Sequence, residues 1–196
     1  MPSGLPDRSA GSGSVHGRFQ PFHNGHLEYV LAALAHCDFL YVGVTQYRRG
    51  RLVAVDAPDA RHRAAPEHNP LTYFERATMI RAALLAAGVS GDAFTVIPFP
   101  IEEPSELAEF LPLDIPIFTT VYDAWNEEKI RVLGGLGYTV RVLYRRAVKE
   151  ISGAQVRALL RDGDDAWRAL VPPAAAALLD DHMLADRLAR AGAARG

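Results

Sequence analysis

A single cysteine, Cys37, stands among the 196 residues of the chain. One thiol closes no intramolecular disulfide and builds no cysteine-based metal cage, so a reducing compartment is expected. Net charge is equally scarce. Acidic residues number 23 against 21 basic ones, which leaves −2 at neutral pH and an isoelectric point near 6.4. That balance excludes a general nucleic-acid binder and an electrostatic membrane binder. No apolar run approaches a membrane span, and the first residues are polar rather than signal-like. The chain also lacks internal repeats and a spare helix-turn-helix segment. Lysine occurs only at Lys129 and Lys149 against nineteen arginines, which we read as genomic bias. What is present, 49% hydrophobic and 22% charged residues, is the composition of a folded, cytoplasmic, single-domain protein.

Residues 1–13 are rich in Gly, Pro and Ser and read as a flexible lead-in to one domain over 14–190, followed by a loose tail at 191–196. Gly13–Phe19 reads as a short, weak strand. Leu27, Val30, Leu31 and Leu34 share one helical face, which predicts a helix over 24–37. Phe39–Val44 suits a buried parallel strand. The segment 45–70 is long for a plain connection and carries Arg48, Arg49, Arg51, Arg61 and Arg63. It reads either as a lid over an anion or as a solvated face or subunit contact. Thr72 and Glu75 form a capping box that starts a helix running to about Ala87 and stopped by Gly88. Phe94–Phe99, Ile115–Val121 and Tyr138–Leu143 supply further strands, with helical stretches near 104–111 and 124–133. Short helices follow from Ser152, broken at Pro172 and Pro173. The alternation predicts an α/β, Rossmann-like fold: a doubly wound parallel sheet of about five strands with a short helical C-terminal part. Ligand would then lie at the carboxyl ends of the strands.

The string Gly17-Arg18-Phe19-Gln20-Pro21-Phe22-His23-Asn24-Gly25-His26 sits where the first strand hands over to the first helix, the phosphate-binding corner of such a sheet. Gly17 lets the backbone approach a ligand, and Pro21 stiffens the turn. His23 and His26, three apart, face one side and join the amide dipoles in a donor array for a polyphosphate. Gly25 between them leaves room for a nucleotide. Two histidines at a helix start also occur simply as caps and packing groups. A distant partner string, Ile151-Ser152-Gly153-Ala154-Gln155-Val156-Arg157, opens a helix after the last strand. Ser152 and the first amides suit phosphate, and Arg157 suits a β- or γ-phosphate. By itself this second string reads first as a helix cap and a surface arginine.

Together the strings resemble the nucleotidyltransferases that carry H-x-G-H and I-S-x-T-x-x-R, and more closely the archaeal-type nicotinamide-mononucleotide adenylyltransferases. Asn69-Pro70-Leu71-Thr72-Tyr73-Phe74-Glu75-Arg76 is similar to that family's N-P-F-T-x-x-E-R, and the likeness runs from about Val15 to Asp180. Class I aminoacyl-tRNA synthetases share the H-x-G-H, but this chain is too short and lacks their lysine loop. The resemblance implies attack by a substrate phosphate or phosphonate oxygen on the α-phosphorus of a nucleoside triphosphate, with release of pyrophosphate. It implies His23 and His26 on the α- and β-phosphates, Arg157 on the β- and γ-phosphates and Arg18 at the junction. Gly17, Phe19, Gln20, Gly25, Ser152, Gly153 and Val156 would complete the nucleotide site. Mg²⁺ would be bound through the nucleotide phosphates. The leading expectation is ATP plus nicotinamide mononucleotide giving NAD, in a homo-oligomer, with Thr119, Tyr122, Asp123, Trp125 and Asn69 around the acceptor.

Two departures keep other readings open. Ala154 replaces the family's threonine, which motivates a nucleotide-sensing module without turnover as a minor reading. The region Pro98–Leu107 lacks the family's tryptophan and holds Glu102, Glu103 and Glu106 instead. Trp125 and Tyr122 would rebuild a stacking surface, or else Trp125 packs as core beneath the helix at 124–133. The string Thr119–Trp125 also resembles cytidylyltransferases acting on small phosphonates in natural-product pathways. CTP plus a small phosphonate or phosphate is therefore the alternative. Arg145, Arg146 and Lys149 form a basic patch near the expected crevice.

Overall fold

Each of the five stretches expected to be strands overlaps one, and all five strands are parallel. A computed structural model describes residues 10–53 and 64–193. The strands are β1 (Ala10–Gly17), β2 (Cys37–Val44), β3 (Phe94–Pro98), β4 (Ile117–Val121) and β5 (Val140–Arg145), in spatial order β3-β2-β1-β4-β5. The helices are α1 (Asn24–Leu34), α2 (Tyr73–Ala86), α3 (Ala124–Gly135), α4 (Gly153–Asp162), α5 (Pro173–Asp181) and α6 (Leu184–Ala193). This is the expected doubly wound α/β sheet. The chain order reverses between β1 and β4, so their carboxyl ends flank the crevice where such sheets bind ligands. These two strands pair only at Ser14–Ile117. The Tyr29 hydroxyl spans the seam, donating to the Phe118 carbonyl at 2.6 Å and accepting from the His16 amide at 3.4 Å.

Hydrophobic burial holds both faces. Leu40, Val42 and Val44 of β2 are fully buried with Val15, Met79, Ile80, Leu84 and Phe118 in the larger core. Phe99, Leu107, Leu111, Ile117 and Leu133 form the smaller one. Each such side chain contributes about 1.5–3 kcal/mol relative to exposure. Among the described residues no helix is long and apolar enough to cross a membrane.

Boundaries differ from expectation where pairing overrides local pattern. β1 begins at Ala10, inside the stretch expected to be a flexible lead-in, because Ala10 pairs with Cys37. The same pairing draws Cys37 into β2 and ends α1 at Leu34 rather than at 37. The stretch at 104–111 is a 3-10 turn over Pro104–Glu109, and α6 continues to Ala193, into the expected tail. The capping box is as expected: Glu75 N donates to Thr72 Oγ1 at 3.2 Å and Thr72 N to Glu75 Oε2 at 2.6 Å. Gly88, at φ 83, follows α2.

The box aims the next residue, Arg76, into the sheet, where it is fully buried. Its guanidinium donates to Arg18 O at 2.9 Å, Thr45 O at 2.8 Å, Gln46 O at 2.9 Å and Thr72 O at 3.2 Å. Burying the cation costs several kcal/mol. Four charge-assisted hydrogen bonds of about 1.5–3 kcal/mol each offset that cost. They also hold the loops after β1 and β2, in which Phe19 (φ 53) and Gln46 (φ 47) take left-handed conformations unfavourable for residues with a Cβ.

Arg76→Met is expected to lower stability by about 2–4 kcal/mol, since it strands buried carbonyls while preserving the stem. Urea denaturation of both proteins checks this. An unchanged midpoint would remove Arg76 from the fold's framework.

Candidate active site

The carboxyl ends of β1 and β4, the start of α1 and the start of α4 enclose a cleft of about 450 Å³. His23, the cap of α1, is buried and lies against His26, their rings stacked at 3.6 Å. The His26 Nδ1 accepts from the His23 amide at 3.3 Å. In the neutral ring this places the proton on Nε2, which leaves that nitrogen as a donor. Gly25 lies close beside the pair: a Cβ there would press on the His23 ring at 3.3 Å. Phe19 is held under them with its ring edge against His26 at 4.9 Å.

On the facing side, Gly153 opens α4 so close to the first loop that a Cβ would lie 2.6 Å from the Gln20 carbonyl oxygen. Arg157 completes this junction. Its guanidinium donates to Gln20 O at 2.5 Å and lies 3.1 Å from His68 Nδ1. Gln20 in turn fixes Leu71 through both backbone groups, at 2.9 Å each. Arg157 is therefore a buried cation on the cleft wall, not a surface arginine.

Electrostatics maps the cleft. Burial, aided by the Lys149 ammonium, holds His23 down to about 3. Burial, then His23, Lys149 and Arg18, holds His26 well below the usual histidine range. At the other end, burial and then Lys129 lower His16 in the same sense. Burial pushes the Glu102 carboxyl up to about 7, against the opposing pull of backbone amides, Arg18 and Lys129. Lys149 thus marks the H-x-G-H end, Lys129 the opposite end, and Arg18 acts on both.

Most of the residues expected at the site converge. Gly17, Arg18, Phe19, Gln20, His23, Gly25, His26, Ser152, Gly153 and Arg157 line the cleft, as do Tyr122, Asp123 and Trp125. Several have structural duties as well. Ser152 Oγ caps α4 by accepting from Gln155 N at 3.1 Å, and Asp123 caps α3 by accepting from Asn126 N at 2.9 Å. Trp125 is half-buried on the cleft wall, which overturns its reading as core. Three expected residues lie elsewhere. Val156 is on the inner face of α4, fully buried in the larger core. Asn69 is fully buried behind the cleft, donating to Ala65 O at 3.0 Å. Thr119 faces Tyr29, and a register shift between Thr119 and Thr120 accompanies the presence of Thr120 on the wall instead.

The described part of 45–70 does not close over the cleft. Arg51 pairs with Glu103 at 2.6 Å, and Arg48 lies 3.9 Å from Glu103 and 3.7 Å from Glu106. Arg61 and Arg63 lie outside the described residues. Of the basic patch, Arg146 and Lys149 reach the cleft, Arg146 paired with Glu28 at 2.5 Å, while Arg145 pairs with Glu127. Sequence reasoning missed His16, Tyr29, Lys129 and the role of Glu102. Lys129 follows Trp125 by one helical turn, and His16 directly precedes Gly17 at a strand's carboxyl end. Both positions were available signals.

Comparisons with known proteins show the family and the fold. Residues 15–157 fit the family model described as cytidylyltransferase-like. The chain is 39% identical over 182 residues to a phosphonoformate cytidylyltransferase of Streptomyces viridochromogenes, covering 93% of this chain and 97% of that protein. It is 33% identical over 180 residues to a nicotinamide-nucleotide adenylyltransferase of Pyrobaculum neutrophilum, covering 90% and 92%. The solved bifunctional NMN adenylyltransferase/ADP ribose pyrophosphatase from Francisella tularensis shares the fold, with TM-score 0.60 and 18% identity. That alignment covers 91% of this chain and about half, 52%, of the larger one.

Two outcomes follow from this geometry. Gly153→Ala is expected to cut kcat/KM for the triphosphate about tenfold or more by displacing α4, in steady-state kinetics; wild-type values would contradict the close approach. Acid should destabilise the protein. His16, His23 and His26 refuse protons that their unfolded counterparts accept near 6.5, so folding is weakened as pH falls through that value. Glu102 opposes this, gaining its proton from about 7 when folded. Three groups against one leave a net loss of roughly 1–3 kcal/mol between pH 7.5 and 5.5. Urea midpoints at the two pH values measure it, and an equal or higher midpoint at pH 5.5 contradicts it.

Proposed function

We propose that this chain, which belongs to the cytidylyltransferase-like family and is a nucleotidyltransferase, moves a cytidylyl group from CTP to a small phosphonate or phosphate. The observation that carries this choice of base and acceptor is the near end-to-end kinship with the phosphonoformate cytidylyltransferase. The cleft's modest volume suits a small acceptor beside the nucleotide. The second reading, ATP with nicotinamide mononucleotide, rests on Trp125, which is half-buried and lines the cleft, as Tyr122 does.

In either case one acceptor oxygen attacks the α-phosphorus, the bond from that phosphorus to the α–β bridging oxygen breaks, and pyrophosphate leaves. The attacking oxygen is already anionic, so no general base is needed. Catalysis consists of positioning and charge neutralisation. The neutral His26 Nε2–H donates to a phosphate oxygen without the cost of a buried imidazolium. Arg157, kept charged at neutral pH, neutralises the departing pyrophosphate, and Arg18 sits where the two substrates meet. The triphosphate enters as its Mg²⁺ complex. A cytoplasmic location is part of this reading, since nucleoside triphosphates are plentiful there.

Pyrophosphate release should be seen when CTP is paired with small phosphonates; turnover confined to ATP and nicotinamide mononucleotide would replace this reading with the second. With the productive pair, His26→Ala should lower kcat about 10²- to 10³-fold while the acceptor KM stays within about threefold. Equal losses in both would deny His26 a transition-state role.

A further inference from the structure

The end of the cleft away from the H-x-G-H pair contains a polar group that the nucleotide chemistry leaves unused. His16 is only 5% exposed, lines the cleft, and neither ring nitrogen has a hydrogen-bond partner. Its ring is locked against Phe99, with centroids 4.5 Å apart and planes within 4°. A buried imidazole without a partner is costly, and a fixed one is selective. His23 is in the same condition at the other end, and there the expected partner is a phosphate. Lys129, on α3, lines the same cleft as His16 and Glu102, and its positive charge acts on both. Arg18 lines the cleft as well, and its charge acts on both Glu102 and His26.

We propose that His16 and Lys129 form a subsite for a carboxylate on the acceptor, whose phosphonate group lies at Arg18, so that the substrate class is a short carboxylated phosphonate. This rests on the phosphonate reading of the same cleft. Charge decides between a carboxylate and a second phosphate. Lys129 supplies one positive charge, the imidazole is neutral, and Glu102, whose carboxyl burial pushes up to about 7, holds its proton once an acceptor anion lies beside it. A monoanion is matched by that set, whereas a phosphate dianion is left uncompensated in a buried corner. The neutral His16 N–H provides the directional bond and the ammonium the charge. Loss of either should be felt by the acceptor and not by CTP. His16 and Lys129 act here on substrate recognition, with no covalent step.

The test compares phosphonoformate with methylphosphonate, at saturating CTP, in wild type, His16→Phe and Lys129→Met. Phenylalanine keeps the stack on Phe99 and methionine keeps the stem, so the fold is retained. Wild type should favour the carboxylated acceptor in kcat/KM by roughly 10- to 100-fold, as expected for a charge-assisted hydrogen bond. Each variant should lose most of that preference with the CTP KM unchanged. A preference that survives both substitutions overturns the subsite. Turnover of both phosphonates without preference in wild type overturns it too, while leaving the phosphonate reading intact. Turnover with nicotinamide mononucleotide alone overturns both.

Discussion

The guanidinium of Arg76 is the constraint on which the cleft depends. It is buried without exposure to solvent and satisfied by four backbone carbonyls from three separate segments. Two of those segments are the turns that leave β1 and β2, and both contain a left-handed residue that would relax if released. The first of these turns carries Arg18, Phe19 and Gln20, and leads directly into His23. An arginine is suited to this because its planar fork delivers several donors in fixed directions, and it stays charged even when burial lowers it to about 10. The capping box at Thr72 and Glu75 aims that fork. Arg187 of α6 pairs with Glu75 at 2.6 Å, so the C-terminal helices brace the same point.

From that framework comes a cleft that neutralises anions with few buried formal charges. His16, His23 and His26 are all held neutral, chiefly by burial. They offer N–H donors in fixed positions without the solvation cost of imidazolium. The cations Arg18, Lys129, Lys149 and Arg157 line the same space. Such a division suits phosphoanhydride exchange, where charge moves from the α–β bridge to the departing pyrophosphate and no bond to protein forms. It also explains how Ala154 can stand where the I-S-x-T-x-x-R pattern has threonine. The position is exposed on the cleft wall, and one neutral hydroxyl is a small part of this field.

Local chemistry was legible in the sequence, and long-range geometry was not. The alternation of strands and helices and the capping box follow from local pattern, whereas the second string reads by itself as a plain cap and takes its phosphate role from the family resemblance. What escaped was set by contacts across the chain. Arg76 belongs to a recognisable string, yet its partners lie 31 and 58 residues away. Thr119 was chosen over Thr120 because strand parity cannot be read through the shift between them. Val156 sits in a motif beside residues that touch the cleft, but helical rotation turns it into the core. Trp125 fitted either face of its helix until α3 was docked. Arg48 and Arg51 looked like a lid because their partners, Glu103 and Glu106, lie more than fifty residues onward.

The central claim is that this cleft transfers a nucleotidyl group, and isotope position tests it most directly. CTP labelled with ³²P at the α-phosphorus, incubated with Mg²⁺ and phosphonoformate, should yield label in the cytidylyl–phosphonate product and none in pyrophosphate. Label at the γ-phosphorus should appear only in pyrophosphate. Transfer of the γ-label to the acceptor, or retention of both labels in intact triphosphate when CTP and ATP are each offered phosphonates and nicotinamide mononucleotide, would contradict the account.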